Sequence, residues 1–416
     1  MKNIFYLFFM VPLFSQSIFN PNPTKTIIKE YISANDKNQI VKKSSFQLIW
    51  NQKFFLNSNI PNLENQNGLY LPKGNGSVSS FLLKYYTKNL FLSIEPSIYS
   101  INEFPLKLPA KENLFSMLND VPLSNYYKNN RTNFRNFGLK INFYDFSIGY
   151  GNWDQWWGPG MHNSLTLSNN SEGFNHYFFG TNGFKSIFNE IDYSFKYIVS
   201  EGIKNSSKID YFLSALFFRL KFSEIELGAT YHILSGGNYD LSWNFFDAST
   251  VIMNQKLIRY WDQIHSYYIM YSPDTDNLRA FIEIGYPNRS FNGNDPKAYS
   301  DHASASIIGL RKYGFFGQKN IVFGAEYARI VHGVYYNLLP TPNWYDNKKY
   351  NYSSYNGRRW AAHSGSDSDD LLLFMGYINK TASFIYGINY ERHGVTFRFP
   401  PEVKLESRIA ISYKYN

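Results

Sequence analysis

Apolar and polar residues alternate along most of this chain. In Arg408–Asn416, Ile409, Ile411, Tyr413 and Tyr415 share one face, and Arg408, Ser412, Lys414 and Asn416 share the other. In Glu224–Ile233, Ile225, Leu227, Ala229, Tyr231 and Ile233 alternate with Glu224, Glu226, Gly228, Thr230 and His232. Leu90–Ile98, Lys140–Phe143, Phe146–Gly151, Ile282–Tyr286, Ile321–Ala328 and Phe384–Glu391 read the same way. A period of two sends successive side chains to opposite faces of a β-strand. The pattern therefore predicts an all-β protein whose strands each have one apolar and one polar face.

Two architectures satisfy that pattern. A soluble sandwich puts the apolar face in a core; a transmembrane barrel puts it against lipid and lines a lumen with the polar face. Strand ends here carry many Tyr, Phe and Trp residues, as the girdles of a membrane barrel require. The opposite faces carry Glu, Arg, Lys and small residues, which suit a wet lumen. The sequence closes on an alternating aromatic strand, a common feature of outer-membrane barrels, with Asn416 in place of the usual final Phe. The expectation is a large antiparallel transmembrane β-barrel of roughly 16–18 strands, at about ten residues per tilted strand.

Composition narrows the classes further. Phe, Tyr and Trp make up 19% of the 416 residues, which excludes a disordered chain. There is no cysteine, so a disulfide framework, a thiolate metal site, a cysteine nucleophile and a lipidated N-terminal cysteine are all excluded. Mean hydropathy is −0.37, which excludes a bundle of membrane helices. The net charge of +9 is spread along the chain and suits nucleic acid, an acidic glycan or an anionic membrane surface.

The N-terminus decides among these partners. Lys2 precedes the apolar run Ile4–Phe14, and Ser15 and Ser17 have the small-residue spacing for cleavage after Ser17. Residues 1–17 thus read as a secretory signal peptide, too short to span a bilayer. Export sets nucleic acid aside. Residues 18–75, polar and then rich in Asn, Pro and Gly, read as a periplasmic or lumenal lead-in, and residues 76–416 as the barrel. Long polar stretches at Pro105–Asn133, Ser235–Gln255, Pro287–Asp301 and Leu339–Ser368 read as external loops.

Two segments stand out chemically. Gly149–Gly180 holds Trp153, Trp156 and Trp157, a Gly158-Pro159-Gly160 turn, and then Asn163, Ser164, Ser168, Asn169 and Asn170. Indole faces beside amides suit sugar rings and their hydroxyls. The same residues also suit a loop folded in on itself. Tyr355–Asp370 holds Arg358, Arg359, Trp360, His363 and Ser366, with Asp367, Asp369 and Asp370. The arginines can clamp carboxylates or phosphates; alternatively, Arg and Asp tie the loop to the barrel. The acidic trio lacks the Gly and distal Glu of a Ca²⁺ loop. No G-x-S-x-G elbow, H-E-x-x-H or close His pair with metal spacing occurs, so no catalytic residue, metal or cofactor is expected.

Read together, these segments resemble the capsule assembly Wzi family, in the form found in Bacteroidetes-like bacteria. The string Trp-Trp-Gly-Pro-Gly-x-x-Asn-Ser-Leu-x-x-Ser-Asn-Asn runs here from Trp156 to Asn170 and continues to Gly173-Phe174 and Phe179–Asn182. Asn57–Asn59, Gly68, Leu71–Gly76 and Leu92–Pro96 are similar to its N-terminal part. Glu283–Gly285, Asp295-Pro296, His302 and Gly309-Leu310 are similar to later strands. Gly357-Arg358, His363 and Gly365–Asp370 resemble its closing acidic stretch, with Ala361-Ala362 and Ser368 as departures. The resemblance implies an outer-membrane barrel with a small periplasmic helical part. It implies a lectin that attaches capsular polysaccharide to the cell surface, and no enzymatic activity.

The expected function follows from both readings: an outer-membrane protein that binds acidic capsular or exopolysaccharide. The candidate contacts are Trp153, Trp156, Trp157, Asn163, Asn169, Asn170, Arg358, Arg359, Trp360, His363 and Asp367. Outer-membrane lipid surrounds it, and polysaccharide export machinery is a further candidate partner. The rival readings are a channel or export scaffold for oligosaccharide or polysaccharide, and an outer-membrane hydrolase.

Overall fold

A computed structural model of the chain describes residues 44–58, 64–67, 69, 73–103, 130–188, 190–204, 208–237, 244–253, 261–273, 277–287, 304–315, 317–330, 344–345, 350, 353–356, 358–379, 382–395 and 400–413. The expected signal peptide, the rest of the expected lead-in before residue 44 and much of the long loops lie outside the described residues.

The strands are β1 (Ser44–Asn57), β2 (Gly74–Thr87), β3 (Leu90–Glu103), β4 (Asn130–Phe143), β5 (Phe146–Gly151), β6 (His176–Thr181), β7 (Lys185–Phe188), β8 (Ile191–Ser200), β9 (Ile203–Lys204) and β10 (Asp210–Phe222). They continue as β11 (Ile225–Gly236), β12 (Trp261–Tyr271), β13 (Leu278–Pro287), β14 (Ala305–Phe315), β15 (Gln318–Ile330), β16 (Ser354–Tyr355), β17 (Arg358–Arg359), β18 (Ser368–Ile378), β19 (Ala382–His393) and β20 (Glu402–Tyr413). All but β16 and β17, which pair with each other, belong to one eighteen-stranded sheet. Each strand pairs antiparallel with its neighbours in the meander. β6 and β7 both pair with β8, and β8 and β9 both pair with β10, so each couple is one interrupted strand. Sixteen passes result.

The sheet is inside out relative to a soluble protein. On β14, Ile308 and Leu310 are exposed while Ile307 and Arg311 are buried. On β3, Leu92, Ile94 and Ile98 face out while Ser93, Glu95 and Ser97 face in; on β13, Ile282 and Ile284 face out and Glu283 in. An apolar exterior over a polar interior is the pattern of a barrel in lipid, where every backbone group must be paired within the sheet. The sandwich alternative is therefore set aside.

The two ends of the barrel differ. Turns such as 88–89, 144–145 and 223–224 join strands at one end. The strand ends that flank the longer connections, such as Asn57 and Gly74, Glu103 and Asn130, or Gly151 and His176, lie at the other end. In outer-membrane barrels the long connections are external. α1 (Phe245–Thr250), capped by Asn244, sits in one of them and is the one α-helix among the described residues. The periplasmic helical part that the resemblance implies is not found among them.

The sheet also starts earlier than residue 76. Phe46, Leu48 and Trp50 of β1 alternate outward, but the doublet Phe54-Phe55 and the Asn-rich turn mask the strand in the sequence. No pairing joins β1 to β20 among the described residues. Instead residues 64–67 bridge the two edges: Lys53 of β1 donates to Gln66 Oε1 at 2.7 Å, and Lys404 and Arg408 of β20 both engage the Glu64 carboxylate.

Candidate functional site

The connection between β5 and β6 does not stand out from the rim. From Asn152 to Asn175, every residue except Trp156, Gly158, Glu172, Gly173 and Asn175 is buried. The second conspicuous segment is buried too, from Arg358 through Asp370. Both segments fold back from the long-loop end and lie against inward-facing strand residues. They form a plug.

Backbone geometry explains the Gly-Pro-Gly turn. Gly158 has φ +122°, a region that side chains disfavour, and a Cβ there would fall 2.8 Å from Glu283 Oε2. A Cβ at Gly160 would fall 2.2 Å from Asn163 O. The turn aims three consecutive amides at one carboxylate. Met161 N donates to Glu326 Oε2 at 2.7 Å, and His162 N and Asn163 N donate to Oε1 at 3.1 and 2.7 Å. Glu326 projects inward from β15. Arg311 of β14 donates to Pro159 O at 3.1 Å. A buried carboxylate accepting three amide hydrogen bonds is a strong, directional tie.

The aromatic residues fasten the same segment on the far side. Trp153 Nε1 donates to Ser93 Oγ at 2.8 Å, and its ring occupies the space over Gly138, where a Cβ would come within 2.3 Å of it. Trp157 stacks on Phe217 of β10 with centroids 5.5 Å apart. Trp156 donates to Gly160 O at 2.6 Å and closes the turn. Lys196 of β8 donates to Gln155 Oε1 at 2.8 Å. In the second segment Trp360 packs between Phe174, Tyr211 and His232.

The two segments also bind each other. Ser168 N donates to Trp360 O, and Ser168 Oγ to Ala361 O, both at 2.5 Å; Asn170 Nδ2 donates to Arg359 O at 3.0 Å. Asn65, from the seam-bridging stretch, donates to His162 O at 2.8 Å, and Asn67 N donates to Asn169 O at 2.8 Å.

Of the expected sugar contacts, Trp153, Trp157, Asn163, Asn169, Asn170, Arg358, Arg359, Trp360, His363 and Asp367 are all buried in the plug or at its junction with the wall. Trp156 is partly exposed. The open stacking faces expected of Trp153, Trp157 and Trp360 are covered by neighbouring rings and strands. The folded-in alternative describes these residues better. An Arg–Asp tie joins Asp369 to Arg392 of β19, with Nε donating to Oδ1 at 2.8 Å.

One cluster gathers residues that sequence reasoning left apart. His162 and His363, 201 positions apart, stack edge to face with centroids 4.4 Å apart. Asp370 lies between them, and its Oδ2 also accepts from Asn163 Nδ2 at 2.7 Å. Burial depresses the His162 pKa. Burial works the same way on His363, but Asp370 and Glu391 outweigh it and hold that ring above its ordinary value. Asp154, elsewhere in the plug, is pushed up to about 7 by burial, against the pull of Arg135. His162, Glu326, Glu391 and Asn65 were missed as site residues because no local pattern marks them.

No family model matches the chain, and no curated protein matches it. Among solved structures it is similar to Wzi of Escherichia coli, described as an outer-membrane protein involved in group 1 capsule assembly and a carbohydrate-binding β-barrel. The two are 11% identical with a TM-score of 0.58, over 90% of this chain and 76% of that one. The fold is that of an outer-membrane β-barrel. OprB of Pseudomonas putida (9% identity, TM-score 0.46, covering 96% of this chain and all of that one) and OccK1 of Pseudomonas aeruginosa (11%, 0.41, 90% and 88%) are also similar, at scores too low to carry argument.

Proposed function

We propose that this barrel is a non-enzymatic surface protein that binds acidic capsular or exopolysaccharide and holds it at the cell. The carrying observation is the plug, in which both conspicuous segments fill the lumen and are tied to strands around the sheet. A lumen occupied in that way suits an anchor for polymer better than a conduit. The likeness to a carbohydrate-binding barrel and the Trp156–Asn170 string support the same reading. In it, Trp153, Trp157, Arg358, Arg359 and Trp360 build the plug, and partly exposed Trp156 belongs to the face that the polymer meets. Each contact is weak, and a chain that spans many copies is held by avidity. The excess of basic residues favours an acidic polymer within about a Debye length, roughly 8 Å.

The test is to delete the gene and to measure cell-bound and shed polysaccharide, with single-channel recording on the purified barrel. The expected result is unchanged total polymer, shifted into the medium, and a nearly silent barrel. Polymer lost from both fractions would favour a place in the export machinery. A steady conductance would favour the channel.

A further inference from the structure

The junction between the plug and the wall holds a donor set that hydrogen bonding leaves incomplete. His363 Nε2 lies 3.1 Å from Asp370 Oδ2, and His162 Nε2 lies 3.2 Å from the same oxygen. Glu391 Oε2 is 4.0 Å from His363 Nε2, and one donor atom each from His363, Asp370 and Glu391 lie within 4.8 Å of one another. All four side chains are buried. Both ring nitrogens of His162, Nε2 of His363 and Oε2 of Glu391 have no hydrogen-bond partner in a suitable geometry. Burying polar atoms in that state is costly.

The tautomer sharpens the point. His363 Nδ1 lies 3.1 Å from His162 O, and a carbonyl can only accept. With its proton on Nδ1, a neutral His363 turns its Nε2 lone pair to the Asp370 carboxylate; Asn65 Nδ2, 3.4 Å from the same Nδ1, can instead donate to it, which places the ring proton on Nε2. In the first tautomer two lone pairs face each other, and a cation between them or an extra proton on the ring relieves the contact. The surrounding groups already hold the ligands in place, as the outer partners of a metal site do. His393 Nε2 is 2.8 Å from Glu391 Oε1, which leaves Oε2 facing His363. Asn389 donates to Asp370 Oδ1.

Other charged groups face the cluster. Lys404 and Arg408 engage Glu64 and Glu406, and Lys404 Nζ is 3.6 Å from Glu391 Oε2. Four carboxylates, those of Glu64, Asp370, Glu391 and Glu406, thus gather around Lys404 and Arg408.

We propose that His363, Asp370 and Glu391 bind one divalent transition-metal ion, of the zinc type, that locks the plug to the barrel wall. An imidazole with two carboxylates favours such an ion over Ca²⁺ or Mg²⁺, which take oxygen ligands, and His162 stands beside the set, 3.2 Å from Asp370 Oδ2. Zinc bonds of about 2.0–2.2 Å in a tetrahedron hold ligand atoms roughly 3.4 Å apart. The three donors come from the second plug segment and from β18 and β19, so the ion would join plug and wall. This inference does not depend on the polysaccharide reading.

The experiment uses the full-length barrel extracted from outer membranes. Metal content is measured by mass spectrometry after dialysis, and the thermal midpoint is measured with and without a chelator. The chelated protein is then titrated with Co²⁺ and followed in the visible spectrum. The proposal expects about one ion per chain, a lower midpoint after chelation, and intense four-coordinate Co²⁺ bands. H363Q and E391Q should lose those bands while H265Q, remote from the cluster, keeps them. His393→Gln should weaken the affinity about 10–100-fold. Substoichiometric metal, an unmoved midpoint and an aqueous Co²⁺ spectrum in the wild-type barrel would overturn the proposal, and this holds even where a variant fails to fold.

Discussion

The wall and the plug of this barrel use the same residue types under opposite rules. On the wall, lipid selects every second residue, so Ile308 and Leu310 stand exposed while Ile307 and Arg311 turn inward. Each wall position answers to two adjacent strands, such as Ile308 between Ile282 and Tyr327. In the plug, Asn163, Ser168 and Asn170 are buried without periodicity, and each donates to a partner far away in the chain. The wall is thus specified by a local pattern and the plug by long-range polar complementarity. Mutations should therefore separate the two.

The largest effect should come from Glu326→Ala. It leaves three buried amides without an acceptor, at a cost of about 1–3 kcal/mol each. The loss falls on the plug, because the strand hydrogen bonds of β15 remain. Heat-modifiable migration on gels should persist while single-channel recordings gain conductance. A barrel that stops folding altogether would show that the plug and wall are one cooperative unit, and the comparison would break. Next in size is Ile308→Arg, a charge on the lipid face, which costs about 2–4 kcal/mol near the bilayer midplane. It should reduce membrane assembly in cells and leave the conductance of those barrels that do insert unchanged.

The same contrast explains what could be read in advance. Alternation at Ile225–Ile233 or Phe384–Glu391 is a physical signature of one lipid face and one inner face, so the fold class was legible in it. β1 was not, because the doublet Phe54-Phe55 interrupts its period. The Trp156–Asn170 string was visible as unusual, and its Gly-Pro-Gly turn correctly marked a special backbone. Its partners were invisible. Nothing in the sequence around Glu326 says that it will accept from three amides more than 160 positions away. His162 and His363 likewise meet only because two loops enter one lumen. Indoles such as Trp153 look alike in sequence whether they stack on a sugar or pack edge-on against Phe178, and only burial separates the two.

The smallest effect is also the most specific to the plug. Asp154 is buried beside Arg135 and accepts from Asn67, and it holds its proton up to about 7. An unfolded aspartate loses its proton near 3.9. The folded protein therefore takes up a proton as pH falls through 7, and the stabilisation that follows is complete only below the unfolded value. The plug should become more protected between pH 8 and pH 5, and Asp154→Asn should flatten that part of the dependence. Hydrogen exchange of residues 152–170, compared between the two proteins at both pH values, isolates the contribution of this one carboxyl. Equal pH dependence in the two proteins would mean that Asp154 stays ionised in the plug, with Arg135 outweighing burial.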